Sequence, residues 1–296
     1  VSLSLTLLHL EKKTMARKRS HRRLELFALH ARAGINRVDY QKLFAYLASL
    51  PAESRQHEDG DAVFAFPLFK MDGDLVFLIV TTGEKGTMPL VYDMTSGQEE
   101  VVNLPKNKFL TNRAHALINL DTREVIIEYN HRGAKASDIA HAIELIASAK
   151  NPAEYSQLVT ELNPIADVNF LEAIEQLGRI RVASVTVARP NPSWGKHVDP
   201  LIELAGESGA GRAETVFSAD KGRSLSKEKG IVQLIMDWSK ERLSFLKNAK
   251  LIGTKEGETA ETTVSLVKYI GHQKVEVPLV NGHVETESIE KKMLAF

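Results

Sequence analysis

AVFAFPLFKMDGDLVFLIVTT, residues 62–82, places two apolar runs on either side of Asp72 and Gly73. An Asp-Gly pair suits the left-handed backbone that a tight hairpin loop demands, and Val, Ile and Phe favour the flanking strands, so the segment reads as an antiparallel hairpin. Upstream, LELFALHA (24–31) alternates as a strand does, and Gly34 and Asn36 break it. In 39–50, Tyr40, Leu43, Phe44, Leu47 and Leu50 recur at helical spacing, and Pro51 stops the helix. Downstream, strands are predicted at 88–93, 114–119 and 124–129, the last two joined by the LDTR turn. Ser137 is expected to cap a helix whose Ile139, Ile143 and Ile146 form a buried stripe.

The second half alternates in the same way without repeating the sequence. A strand is predicted at 155–162, a helix at 168–177 ended by Gly178, and a strand at 180–188. A short helix at 201–205, a glycine-rich turn through Gly211 and a strand at 214–219 come next, then a long helix over 227–247. Strands at 262–270 and 274–280, a turn at Asn281 and Gly282, and a helix at 288–296 complete the chain. The expected fold class is α+β, with two mixed domains, each a largely antiparallel sheet packed against helices. Their expected limits are 24–150 and 151–296, separated at Asn151 and Pro152 and preceded by a basic, disordered arm over 1–23.

Lysine plus arginine equals aspartate plus glutamate, 38 against 38, in 296 residues. Overall charge therefore gives no reason for a polyanionic partner; only local clustering can. The absence of cysteine excludes disulfides, thiolate nucleophiles and cysteine-ligated zinc, and agrees with a cytoplasmic setting. No apolar run approaches the roughly 20 residues that span a bilayer, so membrane insertion is not expected. The apolar stretch at 3–10 has its positive charge after it, the reverse of a secretory signal, and Met15 is an alternative start.

Motifs for catalysis are missing. There is no G-x-S-x-G elbow, no G-x-x-x-x-G-K-[ST] frame and no H-E-x-x-H, and the histidines are scattered. No catalytic residue, metal or cofactor is assigned. Asp121 and Glu128 could begin a metal-dependent nuclease centre, but Asn130 stands where a charge-stabilising lysine would be needed. Asp121 reads equally as a turn residue.

Cations cluster in four places. Lys12, Lys13, Arg17, Lys18, Arg19, Arg22 and Arg23 crowd the N-terminus. Lys106, Lys108 and Arg113 surround Phe109, and Asn130, His131, Arg132 and Lys135 form a third group. The fourth, Lys221, Arg223, Lys227 and Lys229, surrounds Ser224 and Ser226, either of which could cap the long helix and help aim backbone N–H groups at a phosphate. Such groups neutralise phosphates, and interleaved aromatics stack on bases. The helix itself carries Ile231, Leu234, Ile235, Trp238, Phe245 and Leu246, a stripe suited to a core or to a dimer contact.

The segments VASVTVARPNPSW (182–194), AETVFSADKGRSLSKEKGIVQLI (213–235) and TTVSLVKYIGHQKVEVPLVNGHVETESIEKK (262–292), in this order, resemble the RexA-like phage-exclusion and prophage-defence proteins. The resemblance spans mainly 178–296. It implies a two-domain α+β protein that forms a homodimer, binds double-stranded DNA without strong sequence preference, and acts in phage exclusion, often with a second defence protein. It implies no residue-level site. The expected function is thus non-enzymatic nucleic-acid binding in phage defence, with a metal-dependent nuclease or a protein-interaction and dimerisation module as alternatives.

Overall fold

A computed structural model describes residues 18–34, 36–188, 207–208, 210–242 and 244–296. Lys12, Lys13, Met15, Arg17 and the short helix expected at 201–205 lie outside them. The fold is α+β, as expected.

The chain opens with β1 (Arg19–Ala33), a 15-residue strand, and the short β2 (Asn36–Arg37) folds back on its end. Helix α1 (Tyr40–Ser49) begins where the Asp39 carboxylate accepts the Lys42 N–H at 3.0 Å. Then come β3 (Gln56–Asp59) and the predicted hairpin, β4 (Ala62–Asp72) and β5 (Leu75–Glu84), with Gly73 at φ +58° in its turn. A separate ribbon, β6 (Leu90–Asp93) and β7 (Gln98–Val101), precedes β8 (Asn112–Asn119) and β9 (Glu124–Tyr129). Helices α2 (Ala136–Lys150) and α3 (Pro152–Tyr155) lead to β10 (Leu158–Pro164). The remainder is α4 (Val168–Glu175), β11 (Leu177–Ala188), β12 (Arg212–Ser218), α5 (Ile231–Lys240), β13 (Leu246–Lys255), β14 (Glu261–Ser265), β15 (His272–Val280), β16 (His283–Val284) and α6 (Thr286–Leu294).

The larger sheet runs β16-β15-β1-β9-β8-β5-β4-β3, with β10 also pairing β1. Because successive strand residues point to opposite faces, β5 feeds two cores at once. Val76, Leu78 and Val80 join Phe44, Leu47, Ile143 and Ile146 under α1 and α2, whereas Phe77 joins Leu24, Leu117 and Val277 under Ile289 and Met293 of α6. The smaller sheet runs β12-β11-β13-β14 and shares a core with α4 and α5 through Phe170, Ile174, Val185, Ile235, Trp238 and Leu251. It meets the larger sheet where Asn163 Nδ2 donates to the Ser244 carbonyl (2.6 Å) and where Lys247 pairs with Glu161 (2.6 Å).

Several expectations change. Residues 19–23, read as a disordered arm, form the start of β1 and pair with β15 from Arg19↔Pro278 to Arg23↔Lys274. Their charge hid the strand, since backbone laddering is indifferent to side chains that find carboxylate partners. The larger sheet also takes strands from both sides of residue 150. Ser137 is not the α2 cap: Asp138 reaches back to the Lys135 N–H at 2.8 Å. Gly178 belongs to β11 rather than ending a helix. The helix expected over 227–247 is only Ile231–Lys240; Arg242 turns at φ +52°, and Phe245 and Leu246 reach the same core from the start of β13. A strand entering a core directly after a helix mimics a longer helical stripe. No helix among the described residues is long and apolar enough to cross a membrane.

Candidate nucleic-acid interface

Antiparallel register decides which cations meet. Arg23 of β1 lies opposite Tyr129, the last residue of β9, and β8 runs antiparallel to β9, so Arg113 near its start belongs to the same end of the sheet. Arg19, Arg22, Arg23, Arg113, Arg132 and Lys135 therefore share that end, and Lys18 directly precedes it. Lys106 and Lys108 lie in the loop entering β8, whose Phe109 and Leu110 press on Gly83 of β5. The described members of three of the four predicted groups thus lie at one end of the sheet.

On the face carrying α2, Arg23 and Lys135 both stand over the Tyr129 ring, at 5.9 and 5.1 Å from its centroid. Lys135 Nζ donates to the carbonyls of Asn130 (2.7 Å) and His131 (2.8 Å), and Arg23 Nε lies 3.1 Å from Glu25 Oε1. Burial pushes the Glu25 carboxyl above its ordinary range, against the opposing pull of Arg23, His272 and Lys135. Lys18, Lys106, Lys108 and Arg132 are exposed and have no ion pair among the described residues, while Arg19 pairs with Glu276 at 3.0 Å.

The face carrying α6 holds a buried charge network. His115 and Glu128 are 1% and 3% exposed. His115 Nδ1 is 2.6 Å from Glu128 Oε2, and Arg22 Nε is 3.1 Å from Glu128 Oε1. Arg113 Nη2 donates to Thr286 Oγ1 at 2.8 Å and lies 3.2 Å from His115 Nε2. Burial draws the Arg113 guanidinium below its ordinary value, and the Glu128 charge opposes that shift.

The fourth group stands apart. Ser224 Oγ accepts the Ile180 N–H (3.0 Å) and Ser226 Oγ accepts the Glu228 N–H (3.2 Å), so neither caps α5; its N-cap is Gly230, at φ +72°. Lys227 Nζ donates to the Glu175 carbonyl (2.5 Å), and the Arg223 carbonyl accepts from Arg179 Nε (3.1 Å). These partners belong to α4 and β11, beside the smaller sheet. Lys221, Arg223 and Lys229 remain exposed there.

Asp121 and Glu128 do not assemble a metal centre. Asp121 sits in the β8–β9 turn, its N–H donating to Asn119 Oδ1 at 3.0 Å, at the opposite end of β9 from Glu128. Among the described residues no group of three or more metal-ligating side chains converges. Trp238 is 5% exposed and packs edge-on against Phe245 at 5.1 Å, so the α5 stripe is spent on the core.

Sequence reading missed His115 and Thr286. The signal that could have found them was polar side chains in strands that are otherwise apolar: Arg113 and His115 share a face with Leu117, and Glu128 closes the run EVIIE. A buried polar group demands a partner. Protein-family models give no match to the chain, and neither do curated protein sequences.

Proposed function

We propose that the chain binds nucleic-acid phosphates, with double-stranded DNA as the first candidate, through the basic end of the larger sheet. The observation carrying this reading is that antiparallel register collects cations from three distant segments at one sheet end, beside a Tyr129 ring 42% exposed. Exposed Lys18, Lys106, Lys108 and Arg132 supply charge free to displace counterions, and Tyr129 offers a stacking surface. With zero formal net charge over the chain, binding rests on this local cluster, and its salt dependence follows the number of phosphates neutralised. The Lys221–Lys229 loop is an auxiliary contact. Resemblance to RexA-like proteins supports a setting in phage exclusion, with a second copy and a further defence protein as partners.

The test is duplex binding by fluorescence anisotropy across a salt series. A variant combining Lys106→Glu, Lys108→Glu and Arg132→Glu is expected to weaken binding by at least about tenfold at moderate salt and to flatten the salt slope by roughly one unit for each phosphate no longer neutralised. All three positions are exposed, so circular dichroism should match the parent. The same reversal at Lys221, Arg223 and Lys229 should have the smaller effect. Unchanged duplex binding in the first variant overturns the interface.

A further inference from the structure

The buried network on the α6 face borders a cavity of about 100 Å³ lined by Arg22, Arg113, His115, Glu128, Asn130 and His283. Two guanidinium groups face it against one carboxylate. Both Glu128 oxygens are engaged, one by His115 and one by Arg22, so the carboxylate is already compensated. Arg22 Nε faces Glu128 Oε1 at 3.1 Å, whereas Arg113 Nε is buried with no hydrogen-bond acceptor. A buried guanidinium short of an acceptor is costly, and the group that best relieves it is an oxyanion, which its planar fork can grip at two points. That volume has room for a phosphoryl group. Gly282, His283 and Val284 wall the cavity on the β15–β16 side.

We infer that this cavity is a subsite for a single phosphate monoester group, held by Arg22 and Arg113. The group is the 5′-phosphate of a nucleic-acid strand end or that of a mononucleotide. The strand-end form rests on the interface proposed above; the mononucleotide form stands without it. In either case Glu128 keeps Arg22 and His115 in place while the ligand supplies the acceptor that Arg113 Nε lacks.

The test uses the full chain. Inorganic phosphate and a 5′-mononucleotide are titrated by calorimetry, with the imidazole resonances of His115 as a second readout. Duplexes differing only in a 5′-phosphate or 5′-hydroxyl end are then compared. The parent should bind inorganic phosphate saturably and shift His115. Arg113→Lys keeps the charge but loses the fork, and should weaken phosphate binding by about tenfold. The Lys106→Glu, Lys108→Glu, Arg132→Glu variant should retain phosphate binding while losing duplex, which separates failure of the interface from failure of the subsite. Preference for the phosphorylated duplex assigns the strand end; tighter binding of the mononucleotide with no end preference assigns the small molecule. Absence of saturable phosphate binding by the parent, or binding untouched in Arg113→Lys with the His115 resonance unmoved, overturns the inference.

Discussion

Glu128 is buried with four side chains from two strands and a helix terminus in its neighbourhood: Arg22 of β1, His115 of β8 and, through His115, Arg113 of β8 with Thr286 of α6. Breaking a buried charge pair by removing one partner leaves the others uncompensated, a loss of about 3–5 kcal/mol. Glu128→Gln should therefore lower the unfolding free energy read from urea denaturation by an amount at or somewhat below that range, since the amide still accepts a hydrogen bond. Glu128 was visible in the sequence as a carboxylate worth explaining, but its partner His115 is thirteen residues away, and only the β8–β9 register sets them side by side. Tyr155 gives a pH test. Burial, with the nearby Glu154 and Asp39 charges, pushes its hydroxyl up from 10.0 to about 12. Between those values the folded state holds a proton that the unfolded chain has lost, so stability is fully present below about 10 and falls as pH rises through 12. Alkaline denaturation followed by tyrosinate absorbance should show this loss, and Tyr155→Phe should shrink it.

The hairpin of β4 and β5 was legible because an Asp-Gly turn between apolar runs is a local signal, and α1 because its stripe ends at a proline. The end of α5 was not, because Phe245 and Leu246 continue its helical spacing while belonging to β13. The start of β1 was hidden by its arginines. Position in the sheet, rather than residue type, made those cations partners. The same dependence on neighbouring elements governs the loop that carries Lys106 and Lys108. A methyl group at Gly83 would overlap the Leu110 carbonyl oxygen and the Phe109 ring, so Gly83→Ala must push this loop off β5. Overpacking of this kind costs about 1–3 kcal/mol. Thermal denaturation should register that loss, and duplex affinity should fall with it although no cation has been removed. A Gly83→Ala chain with unaltered duplex affinity would show that the loop's seat does not matter to binding.

Across the whole chain, β1 joins what composition alone divides at residue 150. It pairs with β9 over 23–28, with β15 over 19–25 and with β10 over 27–33. A chain ending at residue 150 keeps only the first of these long pairings. Its β1 would become an edge strand with a row of unpaired N–H and C=O groups, the arrangement most prone to pair with other chains. Loss of α6 would also uncover Leu24, Phe77 and Leu117, all 6% exposed or less in the full chain. Aggregation or absence of cooperative melting is the expected behaviour of residues 18–150 expressed alone. Adding residues 151–296 as a separate chain should restore solubility, because the missing strands and α6 all lie in that piece. Chemical-shift dispersion and a thermal melt of each preparation decide the matter. A well-dispersed, cooperatively melting 18–150 fragment would mean that β1 holds its place through β9 alone. The basic end would then assemble without β15, and its cations could be tested on the fragment itself.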